Sequence, residues 1–139
     1  MNTDRFKLRV AIRQEDGSYK LFPVTCICYQ PNGDITVDYK DPALPYGGDV
    51  KIDGENAILE QCTGLTDKNG KLIFEGDVVR YYRSTAMGLG GERIASVLWD
   101  ERDAEFGILT TLGDGYNMWE ALRFGIKIIG NIHEMEQEQ

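Results

Sequence analysis

From Phe6 to Arg13 the chain reads FKLRVAIR, apolar and polar in alternation, which places Phe6, Leu8, Val10 and Ile12 on one face of a half-buried strand. Gln14–Ser18 carries an Asp-Gly turn. Tyr19–Tyr29 follows as a second run of strand formers, and Pro23 within it points to an edge or a bulge. Pro31–Asp34 turns about Asn32-Gly33, and Ile35–Tyr39 alternates again. Residues 1–40 therefore read as a meander of three strands. Asp41–Gly54 contains DPALPYGGD, whose prolines and glycines suit neither a central strand nor a helix, so it reads as a long connection. Ala57–Cys62 fits a short strand or a turn of helix, and we read it as strand. Further strands are expected at Val78–Tyr82, Arg93–Trp99, Phe106–Thr111 and Ile126–Ile132. Asn117–Gly125 reads as the one helix, with Asn117 as cap, Glu120 completing a capping box and Gly125 closing the end.

Between these runs lies TDKNGKLIFEGDVV, Thr66–Val79. Asp67-Lys68-Asn69-Gly70 fits a type I turn with a bulge at Gly70, a connection that sets Asp67 opposite Lys71 as an opposite-charge pair. A turn centred on Asn69-Gly70 would set Lys68 against Lys71 instead. Leu72 and Phe74 share one face and Ile73 takes the other, and Glu75-Gly76-Asp77 makes a second bend. The expected architecture is mainly β: a small β-meander followed by an SH3-like β-barrel with one short helix, α+β if the helix content is higher. Residues 1–139 make a single domain, subdivided into an N-terminal β unit at 1–40, a connection at 41–56 and a barrel-like unit at 57–134.

Charge narrows the functions. Fifteen Lys and Arg against 23 Asp and Glu leave a formal net charge of −8, which repels phosphate backbones unless basic residues cluster. They concentrate only at Arg5, Lys7, Arg9 and Arg13, which we read as the solvated face of the first strand. The start, MNTDRFKLRV, has no long apolar run, so neither signal peptide nor membrane anchor is expected. The cysteines are three, Cys26, Cys28 and Cys62, an odd number that suits reduced thiols in a cytosolic protein. Cys26 and Cys28 share a strand face, and a metal could be imagined among them, Cys62 and the only histidine, His133. No zinc-ligand spacing is present, and buried free thiols are the reading adopted.

Other chemistry fares no better. MGLGGE, Met87–Glu92, precedes a strand rather than a helix and lacks Gly-Lys-Ser/Thr, which excludes a phosphate loop. Asp100, Glu101, Asp103 and Glu105 bunch in one polar turn, where similar environments do not separate an acid from a base. His133 is the only near-neutral base, and nothing brings Cys62 or Ser84 to it as a nucleophile. No catalytic residue, cofactor site or metal site is expected. Met87, Leu89 and Tyr116 are candidate interaction residues in loops, while Trp119 is read as core.

QCTGLTDKNGKLIFEGDVV, Gln61–Val79, and IGNIHE, Ile129–Glu134, together resemble the signature of the YopX family of phage and prophage proteins. The matching positions include Gln61, Thr63, Gly64, Leu65, Asp67, Gly70, Lys71, Ile73, Glu75, Gly76, Asp77 and Val79, then Ile129, Gly130, Asn131, Ile132 and Glu134. The resemblance implies a protein encoded by a virus or mobile element and working in the cytoplasm of a bacterial host. It imports no catalytic residues, and these positions read as turn formers, a charge pair and strand positions. The expected function is a non-enzymatic accessory protein that binds a phage or host protein or associates with itself. The alternative is a nucleic-acid-binding module using Arg5–Arg13, or a DNA mimic using the acidic surface.

Overall fold

A computed structural model describes residues 3–83, 91–110, 115–117 and 125–135. The protein is mainly β, built as two antiparallel sheets. The first contains β1 (Leu8–Arg13), β2 (Tyr19–Tyr29), β3 (Ile35–Tyr39), β4 (Gly48–Lys51), β5 (Ala57–Thr66) and β6 (Leu72–Phe74), in the order β4-β3-β2-β1-β5-β6. The second contains β7 (Asp77–Arg83), β8 (Gly91–Asp100), β9 (Glu105–Thr110), β10 (Gly115–Asn117) and β11 (Lys127–Asn131), in the order β10-β9-β8-β7-β11. One helical turn, α1 (Ile132–Met135), follows β11.

The three-stranded start is as expected, with one exception. Asp4–Phe6 is a 3-10 turn, and Phe6 stands 62% exposed with the Arg5 guanidinium 4.7 Å above its ring. The ladder of β2 with β3 slips between Val24 and Cys26, the bulge that Pro23 announces. β4 lies inside the stretch read as connection: only four residues long and paired with β3 alone, it has too little pattern to be seen in sequence. β5 is indeed a strand, and it pairs with β1 on one side and with β6 on the other. The chain passes from the first sheet to the second at Glu75-Gly76.

The first sheet curls over its own core. Val10, Val37 and Ala57 are fully buried, packed by Ile12, Phe22, Ile27, Val50 and Leu59 from the same sheet. A short turn, Ile52–Asn56, joins β4 to β5. The Asp53 carboxylate binds it by accepting from the backbone N–H of Glu55, Asn56 and Ala57, and the Ala57 bond first among these holds the Asp53 pKa at about 2. No ladder joins β4 to β5 among the described residues, and neither sheet is a closed barrel, so the SH3-like barrel is not found. Asn117–Gly125, read as helix, lies largely outside the described residues, as do Trp119, Met87, Leu89 and Ser84. Asn117 itself ends β10.

The second core gathers Val79, Tyr81, Ala95, Val97, Ile108 and Ile126 around Ile73 of β6. Ile73 belongs to the ladder of the first sheet and to the core of the second, so the sheets share a side chain as well as a chain. No helix among the described residues is long and apolar enough to cross a membrane. Ile73→Ala leaves a cavity between two elements that cannot both collapse onto it; a loss of about 2–5 kcal/mol in urea unfolding is expected.

Candidate functional site

The family-like residues meet where the sheets join, around a buried ionic cluster. Arg9 of β1 has a side chain 13% exposed. Its Nε donates to Glu60 Oε1 of β5 at 2.8 Å, and its Nη2 donates to Asp77 Oδ1 of β7 at 2.6 Å, with both carboxylates 3% exposed. The guanidinium also lies 4.6 Å over the Phe74 ring. Arg9 is therefore not part of a solvated strand face, as its place in the alternation suggested. The period of two puts it opposite Val10, where Asp77 at the start of the second sheet and the Phe74 ring close over it.

Asp77 Oδ2 accepts from the Phe74 N–H at 2.8 Å, which draws the bend 74–77 tight. Burial pushes the Asp77 carboxyl above its ordinary range against the pull of Arg9. Glu75 is clasped to Gln61 twice: its N–H donates to the Gln61 carbonyl, and its Oε1 accepts from the Gln61 N–H at 3.0 Å. Burial raises the Glu75 pKa as well, and the nearby Glu60 charge adds to it.

Gly76 sits at the centre with φ +89. Its N–H donates to the Val97 carbonyl, and its carbonyl accepts from the Ile132 N–H, each at 2.8 Å. A β-carbon there would collide with the Glu60 carboxylate, so only glycine fits both the backbone and the space. Asn131 pairs across from Asp77, and its Oδ1 accepts from the His133 N–H at 2.9 Å, capping α1. The bulge between Ile128 and Gly130 re-aims the strand there. His133, next to the strand expected at Ile126–Ile132, is on α1, 5% exposed. Its Nε2 stands 3.3 Å from Glu60 Oε2 without the alignment of a hydrogen bond, and its ring packs 4.9 Å from that of Tyr19.

The 67–71 turn has the first of the two registers, with Gly70 at φ +81 and its N–H donating to the Asp67 carbonyl. The clasp differs in kind from a side-chain ion pair. Asp67 Oδ1 accepts from the N–H of Asn69 and of Lys71, and Oδ2 accepts from the Ile128 N–H at 3.1 Å. Burial acts upward on the Asp67 carboxyl, yet these N–H groups, with a smaller contribution from the Lys71 charge, hold its pKa below the ordinary value. A second stitch to the other sheet runs from the Lys68 N–H to the Ile126 carbonyl. Thr63 Oγ1 donates to the Ile73 carbonyl, and Gly64, at φ +81, passes close to Arg5. The two signature segments thus face each other across one joint.

The YopX protein family pattern matches residues 20–137. The chain belongs to the YopX family. The crystal structure of protein EF1440 from Enterococcus faecalis is similar, with a TM-score of 0.60 at 21% identity over 95% of this chain and 96% of that one, a likeness of fold alone. No curated protein matches. In this YopX chain, Arg9, Glu60 and His133 complete the joint; sequence reasoning read Arg9 as a solvated position and did not single out Glu60. Of the candidate interaction residues, Met87 and Leu89 lie outside the described residues. Tyr116 falls on β10 with its side chain outside them.

The carboxylates at 100–105 form the β8–β9 turn, where Asp100 Oδ1 accepts from the Arg102 N–H. Cys62 is buried, and burial pushes its thiol pKa up, which makes it a poor nucleophile. Cys26 and Cys28, expected to be buried, are exposed.

Arg9→Met strands two buried carboxylates without their cation. A loss of about 3–5 kcal/mol is expected by chemical denaturation. Glu75→Gln keeps the acceptor for Gln61 and removes a charge whose pKa the fold raises. The stability tied to that raised pKa is present below the ordinary value of 4.5 and lost as pH rises through the folded value. The variant should therefore melt above the wild type at about pH 7, with the difference closing toward about pH 4.

Proposed function

We propose that this YopX chain is a non-enzymatic accessory protein of phage or prophage origin, acting in the cytoplasm of a bacterial host by binding a partner protein or a second copy of itself. What supports this is an open groove of about 480 Å³ beside β1, β2 and β6, where Leu8, Leu21, Phe22, Pro23, Val24 and Phe74 present apolar surface. Apolar grooves with few polar groups suit an inserted side chain or segment. Among the signature residues, Glu75, Gly76, Asp77 and Asn131 are by contrast engaged with partners at the joint.

The basic run favours protein over nucleic acid as partner. Lys7 pairs with Asp4 at 2.8 Å, Arg9 is largely buried in its ion pairs, Arg13 stands 3.7 Å from Glu55, and Arg5 stacks on the Phe6 ring. Little free cation remains for a phosphate backbone.

Sedimentation over a range of concentrations and capture from host cells test the reading. Self-association or a specific retained partner is expected for the wild type and lost in Leu21→Lys, which sets a charge in the groove and leaves the circular dichroism unchanged. A monomer that retains nothing, or a variant that still binds, would count against it.

A further inference from the structure

Cys26 and Cys28 both lie exposed on the first sheet, although cysteine is among the most often buried residue types. Ile27 between them packs into the core with its ladder partner Val37, so both sulfurs are held on the opposite, outer side. Residues on one face of a strand stand about 6.6 Å apart. A disulfide needs its β-carbons within about 4.5 Å. The pair therefore cannot close on itself while β2 stays paired to β3 through Cys26↔Asp38 and Cys28↔Thr36. One metal ion meets no such obstacle. With sulfur–metal bonds of about 2.3 Å, two sulfurs on one ion stand up to about 4.6 Å apart. Each side chain need lean along the strand by only about 1 Å to reach that.

We propose that Cys26 and Cys28 form a two-thiolate site for a soft monovalent cation of the copper(I) type. Among the described residues no group of three or more His, Cys, Asp and Glu side chains is placed to hold a metal, which disfavours the four-ligand sets of zinc. Two soft sulfur ligands suit copper(I) instead. Gln30 Nε2 donates to Cys28 Sγ at 3.4 Å and orients it. Asp38 opposite Cys26, and Asp49 opposite Asp38, set two exposed carboxylates on the same face and draw cations to it. Lys51, a cation on that face, is held by Asp34 at 3.3 Å. Binding replaces the two thiol protons, which pass to solvent.

The test is a titration of the full chain, reduced and free of oxygen, with copper(I) against a coloured chelator. One ion per chain should leave the chelator. Cys26→Ser and Cys28→Ser should each weaken retention by about 100-fold, since each removes one of two linked ligands. Cys62→Ser should bind like the wild type. Three results would overturn the site: no copper taken from the chelator, single serine variants that bind unchanged, or half an ion per chain, which would mean one ion shared by two copies.

Discussion

Two sheets are joined through one guanidinium. Arg9 leaves the first strand, grips Glu60 beside it and reaches Asp77 at the start of the second sheet, with the Phe74 ring against it. The fork of an arginine can serve two carboxylates on different strands at once, which the single point charge of a lysine does less well. Desolvating these charges offsets much of their attraction. What the triad excludes is any docking of the sheets that buries Glu60 or Asp77 without its partner. The bend at Glu75-Gly76, the cap at Asn131 and the shared Ile73 all assume that docking.

The strands were legible because one face of each meets a core, and a period of two reports that directly. The turn at 67–70 was legible to its register, since Asp, Asn and Gly leave few backbone solutions. The open edges of the two sheets were not, and a closed barrel was expected in their place, because strand count and spacing do not determine whether a sheet meets its own edge. Arg9 was misread for a related reason: alternation assigns a residue to a face and is silent on what covers that face. Glu60 gave no signal at all, lying among ordinary strand residues whose partners are 51 and 73 positions away, at Arg9 and His133. Cys26 and Cys28 were placed inside by residue type, and the position of Ile27 between them overrides that habit.

The same geometry separates family membership from function. Gln61, Glu75, Gly76, Asp77 and Asn131 identify the family because each has its polar groups or its backbone engaged at the joint. Groups engaged in this way are not open to a ligand. The surfaces that remain open, the groove beside Pro23 and the outer face near Cys26, use residues outside the two signature segments, apart from Phe74, which lies within the first without being one of its matched positions.

Gly76 carries a last consequence. The Glu60 carboxylate occupies the volume where any other residue at 76 would place its first carbon. The two positions cannot change independently. A side chain at 76 forces the Glu60 carboxylate to move, and the Arg9 Nε bond to it moves or breaks with it. Positions 9, 60 and 76, dispersed along the chain, are physically coupled through one carboxylate.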